Sequence, residues 1–170
     1  IEENAYQCKL NEETIWICHY QLRIRDQQNI QFDVIQPLFK ELFFAVWHKQ
    51  VENDPLNALV LKCALSVHEI AVLRAYCAYL KLIGVYSQNY LIKVLNDYFQ
   101  ISKQLLQLFA CRFDPQNSEQ EILSKKLKIS IKKNLAQVRN LEEDKILRSL
   151  LAIIEATLRT NYYQQDAQGK

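Results

Sequence analysis

Ser66-Val67-His68-Glu69, followed by Ile70-Ala71-Val72-Leu73-Arg74-Ala75-Tyr76-Cys77-Ala78-Tyr79-Leu80, decides the fold. A serine three residues ahead of a glutamate, opening an apolar run, is a capping box. The hydroxyl takes a main-chain N–H in the first helical turn, and the carboxylate returns to the serine's own N–H. The run behind it is apolar nearly all round, which predicts a central helix. Its one charge is Arg74. A guanidinium among apolar side chains needs a carboxylate or a helix C-terminal carbonyl, so Arg74 is a candidate buried polar residue. Gly84 is read as the C-cap.

Further along the chain the helical signals continue. Ser87 opens a helix with Tyr90, Leu91, Val94 and Leu95 facing inward, and another runs from about Ser102 to Phe113 before Asp114-Pro115. After the polar stretch 116–120, Ile122 to Val138 is amphipathic on Leu127, Ile131, Leu135 and Val138. Asn140-Leu141-Glu142-Glu143 reads as a second capping box, opening a helix with Ile146, Leu147, Leu150, Leu151, Ile153, Ile154 and Leu158 on it. Asp144/Arg148 and Glu155/Arg159 are read as i, i+4 ion pairs with the acid first.

Toward the N-terminus, Asp54-Pro55 is an N-cap followed by proline at the first helical position, predicting a short helix through Leu61. Val34, Ile35, Leu38, Phe39, Leu42, Phe43, Val46 and Trp47 follow helical spacing, with Pro37 near the start, where it is tolerated. Residues 6–24 change period. Tyr6 to Leu10 alternates, Asn11-Glu12-Glu13 breaks, and Thr14 to Ile24 is rich in β-branched and aromatic residues, as in a hairpin. A lone hairpin is marginal in water, so these strands are expected to finish a larger sheet or to pack on helices. The predicted fold is mostly α: a multi-helix orthogonal bundle over 31–170, preceded over 1–30 by a β-hairpin that is part of an incomplete sheet.

Composition narrows the chemistry. With only two glycines, Gly84 and Gly169, the chain contains no phosphate-cradling GxGxxG or GxxxxGK[ST] loop. With 21 basic against 19 acidic residues the net charge is +2, too small to argue for nucleic acid or an anionic membrane as partner. The one basic cluster, Lys125 to Lys133, is read as a solvated helix face. Cys8, Cys18, Cys63, Cys77 and Cys111 are odd in number and contain no CxxC, against a disulfide framework or a structural zinc. Free cysteines fit a reducing compartment, and the expected location is cytoplasmic. His19, His48 and His68 offer no ligand set; His48 and Glu52 pair only two donors. Neither a nucleophile with its base nor a paired carboxylate emerges, so the site reading is catalytic none, cofactor-binding none, metal none. The chain holds no Met and begins at Ile1, which reads as a piece of a longer chain.

Five strings, in order, then carry a resemblance. They are Glu52-Asn53-Asp54-Pro55-Leu56-Asn57-Ala58-Leu59-Val60-Leu61; Leu65-Ser66-Val67-His68-Glu69-Ile70-Ala71-Val72-Leu73-Arg74-Ala75-Tyr76; Leu108-Phe109-Ala110-Cys111-Arg112-Phe113-Asp114-Pro115; Glu143-Asp144-Lys145-Ile146-Leu147-Arg148; and Ala156-Thr157-Leu158-Arg159-Thr160-Asn161-Tyr162. From about Tyr6 to Gln164 the chain resembles the large bacterial NAD-specific glutamate dehydrogenases. It departs at Ala64 (glycine expected), Val67 (tryptophan) and His68 (arginine). The resemblance implies that 1–30 ends an ACT-like regulatory domain and that 31–170 is the helical domain ahead of the catalytic domain. The parent would deaminate L-glutamate oxidatively with NAD as its cofactor, and the catalytic residues would lie past Lys170. The implied partner is the catalytic domain of the same chain, in a homo-oligomer.

The last turn, with Arg159, Asn161 and Tyr162, has the Arg-plus-aromatic composition of an interface, without an evident apolar partner in the sequence. These three are the candidate interdomain contacts; the alternative is a frayed helix end with ordinary surface tyrosines. The competing reading is a free-standing helical module that binds another protein.

Overall fold

The computed structural model describes residues 2–11, 13–21, 32–84, 86–116 and 120–164. They fall into two compact units, Ile1–Ile30 and Gln31–Lys170.

In the first unit β1 (Glu2–Leu10) pairs antiparallel with β2 (Glu13–Gln21), in register from Leu10 opposite Glu13 to Glu2 opposite Gln21. Asn11, in the connection, has φ 48°, a left-handed conformation that asparagine tolerates well. Pleating puts Tyr6 and Cys8 with Ile17 and Ile15 on one face, and Trp16, Cys18 and Tyr20 on the other. Tyr6, Ile15, Trp16, Ile17 and Tyr20 are all 40–61% exposed. The expected continuation of the second strand through Leu22, Arg23 and Ile24 lies outside the described residues, as does the polar connection at 117–119.

The second unit holds α1 (Phe32–Trp47), a 3-10 turn (Pro55–Ala58), α2 (Leu59–Cys63), α3 (Val67–Ile83), α4 (Gln88–Asp97), α5 (Phe99–Phe113), α6 (Gln120–Leu135) and α7 (Leu141–Ala156). α3 and α5 form its centre: α3 packs against α1, α4, α5 and α7, and α5 against α2, α4, α6 and α7. Leu73, Leu91, Leu95, Leu105, Leu108 and Leu147 are fully buried between them. At about 25 cal/mol per Å² of apolar surface, each fully buried leucine contributes about 2 kcal/mol before entropy is subtracted.

The Ser66/Glu69 capping box forms in full: the Ser66 hydroxyl accepts from the Glu69 N–H at 3.2 Å, and Glu69 accepts from the Ser66 N–H at 2.8 Å. Asn140 caps α7, accepting from the N–H groups of Glu142 and Glu143. The Glu143 carboxylate accepts instead from the Tyr98 hydroxyl, at 2.7 Å, which ties the α4–α5 corner to the start of α7.

Several sequence expectations are corrected. α3 is not buried all round, because Ala71, Ala75 and Ala78 face out; alanine counts as apolar but gains little from burial. In α1 only Ile35, Leu42 and Ala45 are buried, while Val34, Phe43 and Trp47 are exposed, with Phe43 stacked on Trp47 at 5.9 Å. Gly84 has φ −126°, so extended backbone ends α3 there. The reason for glycine is proximity: a Cβ would stand 2.9 Å from the Leu80 carbonyl oxygen.

Ala64, where the resemblance implies glycine, ends α2 at φ 55° and ψ 45°. Left-handed backbone costs an L-residue roughly 1–2 kcal/mol, and glycine's looser unfolded state returns part of that. Ala64→Gly is therefore expected to stabilise the helical unit by about 1 kcal/mol, raising Tm by a few degrees in a thermal melt. An unchanged or lower Tm would mean that the left-handed turn is not held in solution.

A second expectation concerns alkaline pH. Tyr98 is pushed up to about 12 by the hydrogen bond that Glu143 accepts. Tyr76, Tyr162 and Tyr163 are raised by burial. The fold thus favours protonated phenols, while the unfolded chain ionises near pH 10. The stability these groups supply is complete below about pH 10 and is lost as pH rises toward their folded values. Urea midpoints measured from pH 8 to 11.5 should be level and then fall, and Tyr98→Phe should make the fall shallower.

Candidate functional site

Two polar clusters stand out in the helical unit. The first surrounds Arg74, whose side chain is 13% exposed. Its Nε donates to Asp54 Oδ2 at 2.6 Å, and one Nη donates to Asp54 Oδ1 and to Asn57 Oδ1, each at 3.1 Å. Asp54 is itself only 14% exposed and accepts the Leu56 N–H at 2.9 Å as N-cap of the 3-10 turn. Glu52 is more distant, at 3.7 Å, and largely solvated. The cluster is a structural clasp: α3 holds the 52–57 loop through a two-point guanidinium–carboxylate pair. Both carboxylate oxygens of Asp54 accept from the guanidinium.

The second lies where α7 ends. The sequence reading puts Arg159, Asn161 and Tyr162 in the last turn of that helix, but Thr157 turns to extended backbone, with φ −62° and ψ 124°. Arg112, at the end of α5, donates to the carbonyls of Ile154 at 2.5 Å and Thr157 at 3.2 Å. The expected Glu155/Arg159 pair does not form, because the helical spacing stops at Ala156; Glu155 pairs with Lys128 at 2.9 Å. Asp144/Arg148 does form, at 2.7 Å.

Of the candidate contacts, Tyr162 packs edge-on against Phe109 at 5.5 Å and beside Tyr163 at 4.9 Å, so it has an apolar partner within this unit. Arg159 and Asn161 are exposed and, with Phe113, Thr160 and Gln164, line a shallow cleft. Among the described residues Arg159 has no hydrogen-bond or ion-pair partner. The structure brings Arg159, Asn161 and Tyr162 onto one short stretch after α7, and Arg74 stands apart from it. Sequence reading missed Phe109, Arg112 and Tyr76, which hold that stretch. The local signal available was Arg112 in the last turn of a predicted helix.

A second cleft, between Pro55, Ala58, Lys62, Ile92, Lys93 and Asn96, is mostly apolar. Lys62 there donates to the Asn96 carbonyl at 3.1 Å, and Lys93 pairs with Asp97 at 2.5 Å. Burial pushes the Cys63 thiol up to about 11 and the Cys77 thiol to about 12, so neither is an activated nucleophile. Among the described residues, three or more metal-ligating side chains do not gather at one place, and no helix is long and apolar enough to cross a membrane.

Comparison with known proteins then fits these elements to a family. The family described as glutamate dehydrogenase, helical motif 3, matches residues 51–115, which hold the 3-10 turn and α2 through α5. The bacterial NAD-glutamate dehydrogenase catalytic domain matches 130–170, from within α6 through α7 and the stretch after it. The two matched regions share one core, since α7 packs on α3, α4 and α5. The NAD-specific glutamate dehydrogenase of Halomonas elongata is 33% identical over the whole chain, and that of Pseudomonas aeruginosa is 33% identical over 94% of it. That of Mycobacterium tuberculosis is 34% identical over 74%. The chain spans about a tenth of the length of these relatives, 11%, 10% and 8% respectively. No solved structure matches it. Two successive regions of one enzyme are matched in order, and a third of the residues are identical to relatives of which the chain spans a tenth: the chain is similar to this part of the bacterial NAD-specific glutamate dehydrogenases.

Proposed function

We propose that this chain is the noncatalytic region in which an NAD-dependent glutamate dehydrogenase joins its helical part to its catalytic domain, serving assembly and regulation. The parent enzyme oxidatively deaminates L-glutamate to 2-oxoglutarate and ammonia, with hydride passing to NAD, as part of amino acid catabolism. The relatives' names support that chemistry, and the scarcity of glycine supports locating nucleotide binding elsewhere in the parent.

The observation that carries the reading is the shared core. Phe109 and Arg112 belong to the helical-motif match, while Ile154, Thr157 and Tyr162 belong to the catalytic-domain match, and they are in direct contact. Arg159 and Asn161, exposed on the stretch that Tyr162 anchors, are the groups that would dock on the rest of the catalytic domain. The hairpin is read as the end of an ACT-like sheet; its apolar side chains on both faces support burial against further strands or helices. Three buried thiols support a cytoplasmic parent. The exposed Phe43, Phe44 and Trp47 on α1 supply an interface surface of the kind a homo-oligomer uses. They are equally what a free-standing protein-binding module would present.

The test uses the full-length enzyme. Arg159→Ala with Asn161→Ala should alter turnover or its response to effectors while leaving the melting of the helical unit unchanged. Unaltered kinetics and regulation would dismiss the docking role. A stop codon soon after this region in the gene would favour the module instead.

A further inference from the structure

We propose that Arg112 is a positioning residue: with the Tyr76 hydroxyl and the Phe109 ring, it clamps residues 157–163 in the direction they take on leaving α7. The inference deepens the proposed function and rests on it. α7 has no basic residue in its last turn, so its negative end has no cation of its own. Arg112 supplies one from α5, with two N–H groups on the carbonyls of Ile154 and Thr157. Its guanidinium also lies over the Phe113 ring, 5.3 Å from the ring centre.

The Thr157 hydroxyl donates to the Ile153 carbonyl at 2.8 Å. That spends its single proton, so in the 3.0 Å contact with Tyr76 the phenol is the donor. Further along, the Tyr162 ring meets Phe109 edge-on. Within the stretch itself the bonds are local: the Tyr162 N–H to the Thr160 hydroxyl, and the Gln164 N–H to the Asn161 carbonyl. They shape the turn and do not aim it. Its aim comes from three side chains of α3 and α5, all inside the helical-motif match. A shift between α3 and α5 therefore moves the stretch that carries Arg159 and Asn161.

The experiment is amide hydrogen exchange on the full-length enzyme, read on peptides covering 157–163 and, as internal control, 101–109. Arg112→Met should speed exchange in 157–163 tenfold or more with 101–109 unchanged, and should lower kcat while KM for glutamate holds. Arg112→Lys, which restores the cation and one bond, should recover part of both. If Arg112→Met does not fold, Thr157→Val removes the Tyr76 bond without changing shape and should give the same local signature. Unchanged exchange in 157–163 overturns the clamp, and so does a rise of equal size in 101–109, which would make Arg112 a general stability residue. Local acceleration with turnover and regulation unaltered upholds the clamp and instead defeats the regulatory part of the proposed function.

Discussion

Arg74→Ala is expected to cost the helical unit about 3–5 kcal/mol, the loss typical when one member of a buried ion pair is removed. The cost comes mainly from what remains. Asp54, at 14% exposure, keeps its charge and loses both guanidinium bonds, retaining only the Leu56 N–H. Asn57 loses an acceptor contact at the same time. The loop that α3 holds then lacks its long-range attachment, and the apolar stem of Arg74 leaves a gap beside it. Urea unfolding followed by far-UV circular dichroism measures this. Arg74→Lys should lose less but still more than 1 kcal/mol, because an ammonium cannot match the two-point geometry. Asp54→Ala combined with Arg74→Ala should be far better than the sum of the single changes, since neither leaves an orphaned partner. Additive losses would mean that the two residues act separately.

Arg74 also shows where sequence reading stops. The need for a partner follows from the apolar run around it, and Asp54 is legible as an N-cap from Asp-Pro alone. That the two are one feature is a tertiary fact, across 20 residues. The same limit explains α1. Helical spacing finds a stripe, but which flank of it meets the core depends on where α2 and α3 lie, so Phe43 and Trp47 were indistinguishable from Leu42. The end of α7 failed for a related reason. Nothing in Ala156-Thr157-Leu158 breaks a helix locally; the stop is associated with Arg112, 42 residues upstream of Ile154. Short-range devices were legible: the Ser66/Glu69 box, the Asn140 cap and the Asp144/Arg148 pair all involve residues within four of each other. The helical class needed only periodicity and the shortage of glycine and proline.

Phe109→Ala is the second large effect, about 3–5 kcal/mol for truncating a buried aromatic ring. Phe109 is 4% exposed and touches three rings: Tyr76 at 6.1 Å, Phe113 at 5.0 Å and Tyr162 at 5.5 Å. Two of these contacts are edge-to-face, the arrangement favoured by the ring quadrupole. Phe109→Leu keeps most of the volume and should cost about 1–1.5 kcal/mol, so the difference between the variants reports the cavity. The contact with Tyr162 has its own measurement. In a double-mutant cycle, Phe109→Leu and Tyr162→Leu should couple by about 0.5–1.5 kcal/mol, the value of an aromatic pair beyond its buried area. The coupling should appear in stability and also in the fluorescence or exchange of residues 157–163, because Tyr162 is the ring that pins that stretch to α5. Zero coupling, with Tyr162→Leu neutral in the unmodified background, would show that the stretch after α7 does not rest on α5 in solution, and the link between the two matched regions would reduce to α7 itself.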